Sequence, residues 1–251
     1  MSGHSKWATI KHKKGAADKK RGTLFAKLIK QVEVAARQGG GDPAHNPTLR
    51  TMFQKARESS VPLDTIERAV KRGTGELEGV DYQTVTYEGY APHGVALLVE
   101  CLTDNRNRTG GEVRSIFSKN GGSLAEPGAV AWQFARTGVI YVPRSYDEDE
   151  LMTIALEAGA DDIVDEGDQW RVTCAPTNLP TVRAALEDAK VAFESADVTM
   201  LPSTSVLLDN EAAAKAVLKL VDLLDDNDDV EGVYGNFDVP DEILTTLSSE
   251  E

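Results

Sequence analysis

Cations, not nucleophiles, carry the recognisable chemistry of this chain. Lys6, Lys11, Lys13, Lys14, Lys19, Lys20 and Arg21 crowd the first 21 residues, together with His4, Trp7, His12 and a single acid, Asp18. Lysine is a compact point charge on a long stem, so such a run tracks a phosphate backbone without needing a fixed register. Trp7 adds a surface that stacks on a base or sugar, a contact worth roughly 1–3 kcal/mol on single strands. The bland alternative packs Trp7 back on neighbouring helices and leaves the lysines solvated. A second cluster, Thr103-Asp104-Asn105-Arg106-Asn107-Arg108-Thr109, lies between a buried strand and a helix start. Free N–H groups and the positive end of a helix favour an anion there, beside Arg106 and Arg108. Arg114 and Lys119 extend that surface. The alternative is that Asp104 or Asn105 caps the helix and the two arginines pair with nearby acids. The candidate nucleic-acid contacts are therefore Lys6, Trp7, Lys11, His12, Lys13, Lys14, Lys19, Lys20, Arg21, Arg106 and Arg108, with no catalytic and no metal set.

Other chemistries fail on spacing. No Gly-x-x-x-x-Gly-Lys-Ser/Thr phosphate loop occurs, and Gly73-Thr74-Gly75 follows a helix and lacks the third glycine of a dinucleotide fingerprint. The four His (His4, His12, His45, His93) and two Cys (Cys101, Cys174) show no zinc spacing, and there is no Gly-x-Ser-x-Gly elbow. Asp225, Asn227 and Asp229 match positions 1, 3 and 5 of a calcium loop, but Val230 replaces its glycine and Asn236 its closing glutamate. The run Asp225–Glu231 therefore reads as a solvated helix end and turn, and the acids at Asp147–Glu150 and Asp161–Asp168 as a helix start and solvated loops. An enzyme is not indicated, and no cofactor or small-molecule substrate is implied.

The charge is segregated. The 251 residues sum to −14, yet residues 1–40 hold ten Lys/Arg against two acids, and residues 141–251 hold six against 27. A cationic head on an anionic body attracts polyanions at one end and repels them elsewhere. No apolar run approaches the ~18 residues of a membrane span, and the basic start has no apolar stretch behind it as a secretory leader would. Two solitary Cys fit reduced thiols, and the expected location is the cytoplasm.

Positioning falls to three units. Residues 1–21 have too few apolar residues to bury and read as a mobile arm. Helices are predicted from about Leu24 to the glycines at 39–41, from Asn46-Pro47 to Val61-Pro62, and from a capping box at Asp64-x-x-Glu67 to Gly73. Residues 74–80 read as a linker. A hairpin over Thr84–Tyr90 and Val95–Leu102 precedes a helix over Arg106–Lys119 and a strand at Val130–Phe134. From Val139 to Met200 the order is βαββαβ, the ferredoxin-like split unit. A strand at Ser205–Leu208, a helix at Glu211–Leu224 and a strand at Gly232–Phe237 lack a complete sheet of their own, so they are predicted to return to the earlier one. The expected class is α+β, divided into an arm plus helical bundle (1–78), a discontinuous domain (79–137 and 202–251) and an inserted ferredoxin-like domain (138–201).

The strings Gly3-His4-Ser5-Lys6-Trp7, Lys11-His12-Lys13-Lys14, Tyr87-Glu88-Gly89-Tyr90-Ala91-Pro92-His93-Gly94-Val95-Ala96 and Thr103–Arg108 resemble the YebC/PmpR family, over essentially the whole chain. That resemblance implies three domains, a helical head followed by two α+β units, and no cofactor. It implies a cytoplasmic nucleic-acid-binding regulator, in many members a DNA-binding transcriptional regulator and in others a translation factor on the ribosome. Gly15-Ala16-Ala17 and Thr109-Gly110-Gly111 depart from the pattern by placing glycine where helix formers are expected. The acidic ferredoxin-like unit leaves room for a protein partner.

Overall fold

The computed structural model describes residues 18–250, with side chains over 22–247. The head is a bundle of α1 (Asp18–Gly39), α2 (Pro47–Glu58) and α3 (Leu63–Gly73) around Val32, Leu49, Ala56, Ile66 and Ala69. Helix α1 begins at Asp18, so Lys19, Lys20 and Arg21 belong to its first turn and not to an unstructured arm. Asn46 caps α2 by accepting the Leu49 N–H at 3.0 Å. Asp64 does not cap α3; Pro62 occupies that position, and Asp64 pairs with Arg68 one turn on. The stretch after α3 is tied down, because the fully buried Glu33 holds Arg72 (2.8 Å) and the Val80 N–H (3.1 Å).

The second unit is an antiparallel sheet in the order β3-β1-β2-β9, from β1 (Gln83–Tyr90), β2 (Ala96–Thr103), β3 (Ser123–Leu124) and β9 (Val230–Gly235). Its last strand comes from far along the chain, with Val99 opposite Val233. The hairpin reverses through Pro92–Gly94, where His93 and Gly94 both take left-handed φ, 65° and 75°. Helices α4 (Arg106–Lys119) and α7 (Glu211–Asp225) cover one face and bury Val99, Phe117, Leu220 and Leu224. The opposite face is covered by Val130 and Phe134 over Ala96 and Leu98.

Three findings here differ from expectation. Residues 130–134 are a 3-10 turn followed by the start of a strand, not a strand of the first sheet. The cause is the buried carboxylate of Glu88, which accepts the N–H groups of Gly128 (2.6 Å), Val130 (2.7 Å) and Ala131 (2.8 Å) and so withdraws them from any ladder. Those bonds outweigh the opposing effect of burial and hold the Glu88 pKa low. The short strands β3, β8 (Val206–Leu207) and β10 (Phe237–Asp238) complete the edges, with β8 pairing β10 in parallel and not the main sheet. A final helix, α8 (Asp241–Glu250), packs Leu244 and Leu247 against α7's core.

The inserted unit has the antiparallel order β5-β6-β4-β7, with β4 (Phe134–Pro143), β5 (Ala160–Asp165), β6 (Gln169–Cys174) and β7 (Ser195–Pro202). Helices α5 (Glu148–Glu157) and α6 (Leu179–Asp188) cover one side around Ile140, Leu151, Trp170 and Leu186. Strands β4 and β7 are longer than the unit needs. They run from Phe134 opposite Pro202 onward, so a two-stranded ribbon joins the insertion to the middle sheet.

Candidate nucleic-acid interface and its ionic brace

The segment after β2 assembles a polar knot. Asn105 caps α4 by accepting the Arg108 N–H at 3.1 Å, and its own N–H donates to the Thr103 hydroxyl oxygen at 2.9 Å. This local winding sends Arg106 and Arg108 in different directions. Arg108 donates to Asp104 (2.8 Å) and to Asp229 (2.7 Å), whose carboxylate is almost wholly buried. Asp229 also receives Lys30 at 2.7 Å and the Thr109 hydroxyl at 2.8 Å. Burial opposes its ionisation, but Arg108, Lys30 and Thr109 outweigh that and hold the Asp229 pKa down at about 2. Next along α1, the Lys27 ammonium donates to the Asp225 carbonyl oxygen at 2.6 Å. Gln31 reaches Glu231, whose carboxyl is pushed up by burial.

The run Asp225–Glu231 is the helix end and turn expected, with Asp226 and Asp228 exposed, but Asp229 within it is buried. The Asp229 and Glu231 side chains, with the Asp225 and Asp228 carbonyls, are the seat on which the head helix docks through Lys27, Lys30 and Gln31 about two hundred positions earlier, and spacing along the chain gives no hint of that. Glu166 likewise is buried, 3.1 Å from Arg171, and not in a solvated loop. Among the described residues, no group of three or more His, Cys, Asp or Glu is arranged to hold a metal ion. Both thiols are buried and have raised pKa values, Cys101 to about 12, chiefly from burial and then from Asp229 and Glu231. A thiol in that state is a core residue and not a nucleophile.

Both predicted arginines are exposed, but Arg108 is engaged by Asp104 and Asp229 while Arg106 is not paired among the described residues. Arg106 has no ion pair among the described residues and lines an open groove of ≈ 760 Å³ with Arg114, Asn107, Gln83 and Tyr87. Tyr87 fixes this wall by donating its hydroxyl to the Arg106 carbonyl oxygen at 3.0 Å. Arg114 was legible only as an extension of the basic surface, and its place across from β1 required the fold. Lys6, Trp7, Lys11, His12, Lys13 and Lys14 lie outside the described residues. Lys19, Lys20 and Arg21 lie on the first turn of α1, outside the described side chains. Among the described residues, no helix is long and apolar enough to cross a membrane.

The chain matches the TACO1/YebC protein N-terminal domain over residues 5–76 and the TACO1/YebC second and third domain over residues 82–237. A relative from Salinispora arenicola, named a probable transcriptional regulatory protein, is 57% identical over 249 residues, covering 98% of this chain and 100% of the relative. One from Halothermothrix orenii with the same name is 54% identical over 253 residues, covering all of both. The crystal structure of a conserved hypothetical protein from Aquifex aeolicus shares 44% identity with a TM-score of 0.75, covering 89% of this chain and 93% of that one. With its full length matched in sequence and 89% of it in fold, the chain belongs to the TACO1/YebC family.

Proposed function

We propose that this protein is a non-enzymatic, cytoplasmic regulator of gene expression that binds nucleic acid through its basic N-terminal segment, acting on DNA as a transcriptional regulator. The observation that carries this reading is the division of labour among its cations. Lys27, Lys30 and Arg108 are held by Asp225 and Asp229, whereas the seven Lys/Arg of residues 1–21 face only Asp18 within their own segment. The names of the relatives support the regulatory role. Lys6, Lys11, Lys13, Lys14, Lys19, Lys20 and Arg21 supply phosphate contacts, with Trp7 and His12 among them; Arg106, the second cluster's arginine without an ion pair among the described residues, faces an anion whose class is set by the strand edge beside it.

An RNA- or ribosome-binding translation factor is the second reading, favoured by one feature of the bundle. Helices α2 and α3 are joined by a short turn, as in a helix-turn-helix, but the exposed face of α3 carries Asp64 and Glu67 beside Arg68 and Lys71. A balanced face is a poor reader of a duplex groove, whereas a basic tail with an aromatic suits irregular RNA.

The experiment is a salt titration. If the segment neutralises about four to seven phosphates, log affinity for duplex DNA falls against log salt with a slope of about −4 to −6. Removing residues 2–21 flattens the slope towards zero. An unchanged slope in a folded truncated protein overturns the assignment. Competition by structured RNA at equal phosphate concentration then separates the two readings, with preferential loss of the DNA complex favouring the second.

A further inference from the structure

We propose that the edge of β1 left unpaired among the described residues is a docking site for an extended acidic peptide from a protein partner, which adds to the sheet as a further strand. Strand β1 has eight residues, yet its outer neighbour β3 pairs only with Gly89 and Tyr90. Glu88 turns its carbonyl outward to the Ala125 N–H at 2.8 Å, so by antiparallel alternation Thr84 and Thr86 direct their own N–H and C=O groups to the same edge. Beyond β3, nothing among the described residues pairs with that edge. An unpaired row of this kind is a template for a strand.

The wall facing this slot is built for a guest. Helix α4 runs beside β1 in the same direction, with Gly110 against Tyr87 and Phe117 against Gly89. Two consecutive glycines inside a helix cost about 1 kcal/mol each relative to Ala. Gly110 is explained by Tyr87, since a Cβ there would lie 3.2 Å from the phenol oxygen. Gly111 meets nothing within 4 Å and keeps the wall low. Arg106 and Arg114 rise on either side of this pair, exposed and without an ion pair among the described residues. Eight residues of helix span about 12 Å, and four residues of strand about 13 Å, so acidic side chains at positions i and i+4 of the guest meet both arginines. The residue midway, i+2, covers the apolar floor of Val85 and Tyr87.

Charge alone would also admit a nucleic acid, but the edge discriminates against it. Thr84 and Thr86 offer carbonyl oxygens as well as N–H groups, an alternation that complements a peptide backbone and repels successive phosphates. The guest is therefore a peptide with an acidic-x-apolar-x-acidic core.

The test uses the full chain and a ten-residue peptide centred on Glu-Thr-Ile-Thr-Glu. Amide exchange should slow at Thr84 and Thr86 when the peptide is added. Reversing both charges (Arg106→Glu with Arg114→Glu) should cut affinity at least tenfold, and a peptide with Lys in place of Glu should restore binding to that variant. Because both side chains are exposed, the variant should melt as the parent does. Thr86→Pro, a change that an edge strand tolerates, should abolish binding with the charges intact. Failure of the peptide to protect either amide at saturation overturns the proposal. So does a single-stranded oligonucleotide whose binding is lost on charge reversal while peptide binding is not.

Discussion

The two four-stranded sheets of this protein draw on different main sources of stability. The inserted sheet is made from one continuous stretch and closes over an apolar core, with Trp170 donating its indole N–H to the Tyr146 carbonyl at 3.0 Å and Arg144 stacked 3.7 Å from its ring centroid. The middle sheet is gathered from distant pieces and depends on buried polar groups. Asp229 binds partners 199 and 121 positions away, Glu88 holds a loop 40 to 43 positions ahead, and the Asn236 side chain accepts the Ala96 N–H from 140 positions away. A contiguous unit can rely on nonspecific burial because its register is local. A discontinuous one needs specific charges to choose its partners.

Asp229→Ala breaks this contrast most severely. Removing this buried carboxylate costs about 3 kcal/mol, because Lys30 loses its counter-charge, the Thr109 hydroxyl loses its acceptor and Arg108 keeps only Asp104. The expected melt has an early transition for the head and middle sheet and a second, reported by the near-ultraviolet signal of Trp170, at its original temperature. If both transitions fall together, the two units are one cooperative body.

Acid sharpens the same contrast. The Asp229 pKa is lowered from 3.8 to about 2 in the fold, so its contribution of about 2 kcal/mol is complete above pH 4 and disappears as pH falls towards 2. Glu231, with its pKa raised by burial, works in the other direction. Urea titrations at several pH values should show the steep acid loss in the parent and not in Asp229→Asn.

The smallest effect belongs to the inserted sheet. Arg144→Ala removes the cation over the buried Trp170 and the half-exposed 3.1 Å pair with Asp165, and should cost about 0.5–1 kcal/mol in the second transition only. A shift of the first transition would mean that strain passes along the connecting ribbon.

The same division explains what could be read from residues alone. The βαββαβ order, the Asn46 and Asn105 caps and the Arg106–Lys119 helix are legible because each depends on neighbours within a few positions. The return of β9 to β2 follows from elements that would otherwise lack a sheet. Illegible were the Val130 turn, which Glu88 imposes from outside, and the role of Asp229, whose cations arrive from α1 and α4. Arg106 and Arg108 make the point within a single motif. Two residues apart, one is exposed over a groove and the other is locked to an acid 121 positions later, and only the position of Asp229 separates them.

The late position of β9 also sets a timetable for synthesis. Strand β2, almost entirely apolar, leaves the ribosome roughly 130 residues before the strand that covers its flank, an interval of about 6–26 s at ordinary elongation rates. During that interval the inserted unit has all of its own strands and can close, while the middle hairpin waits with one side bare and Lys30 and Arg108 without Asp229. The middle sheet is therefore the last unit to close, after the head bundle and the insertion that precede β9, and the seconds before residue 235 emerges are those in which the chain shows most bare apolar surface.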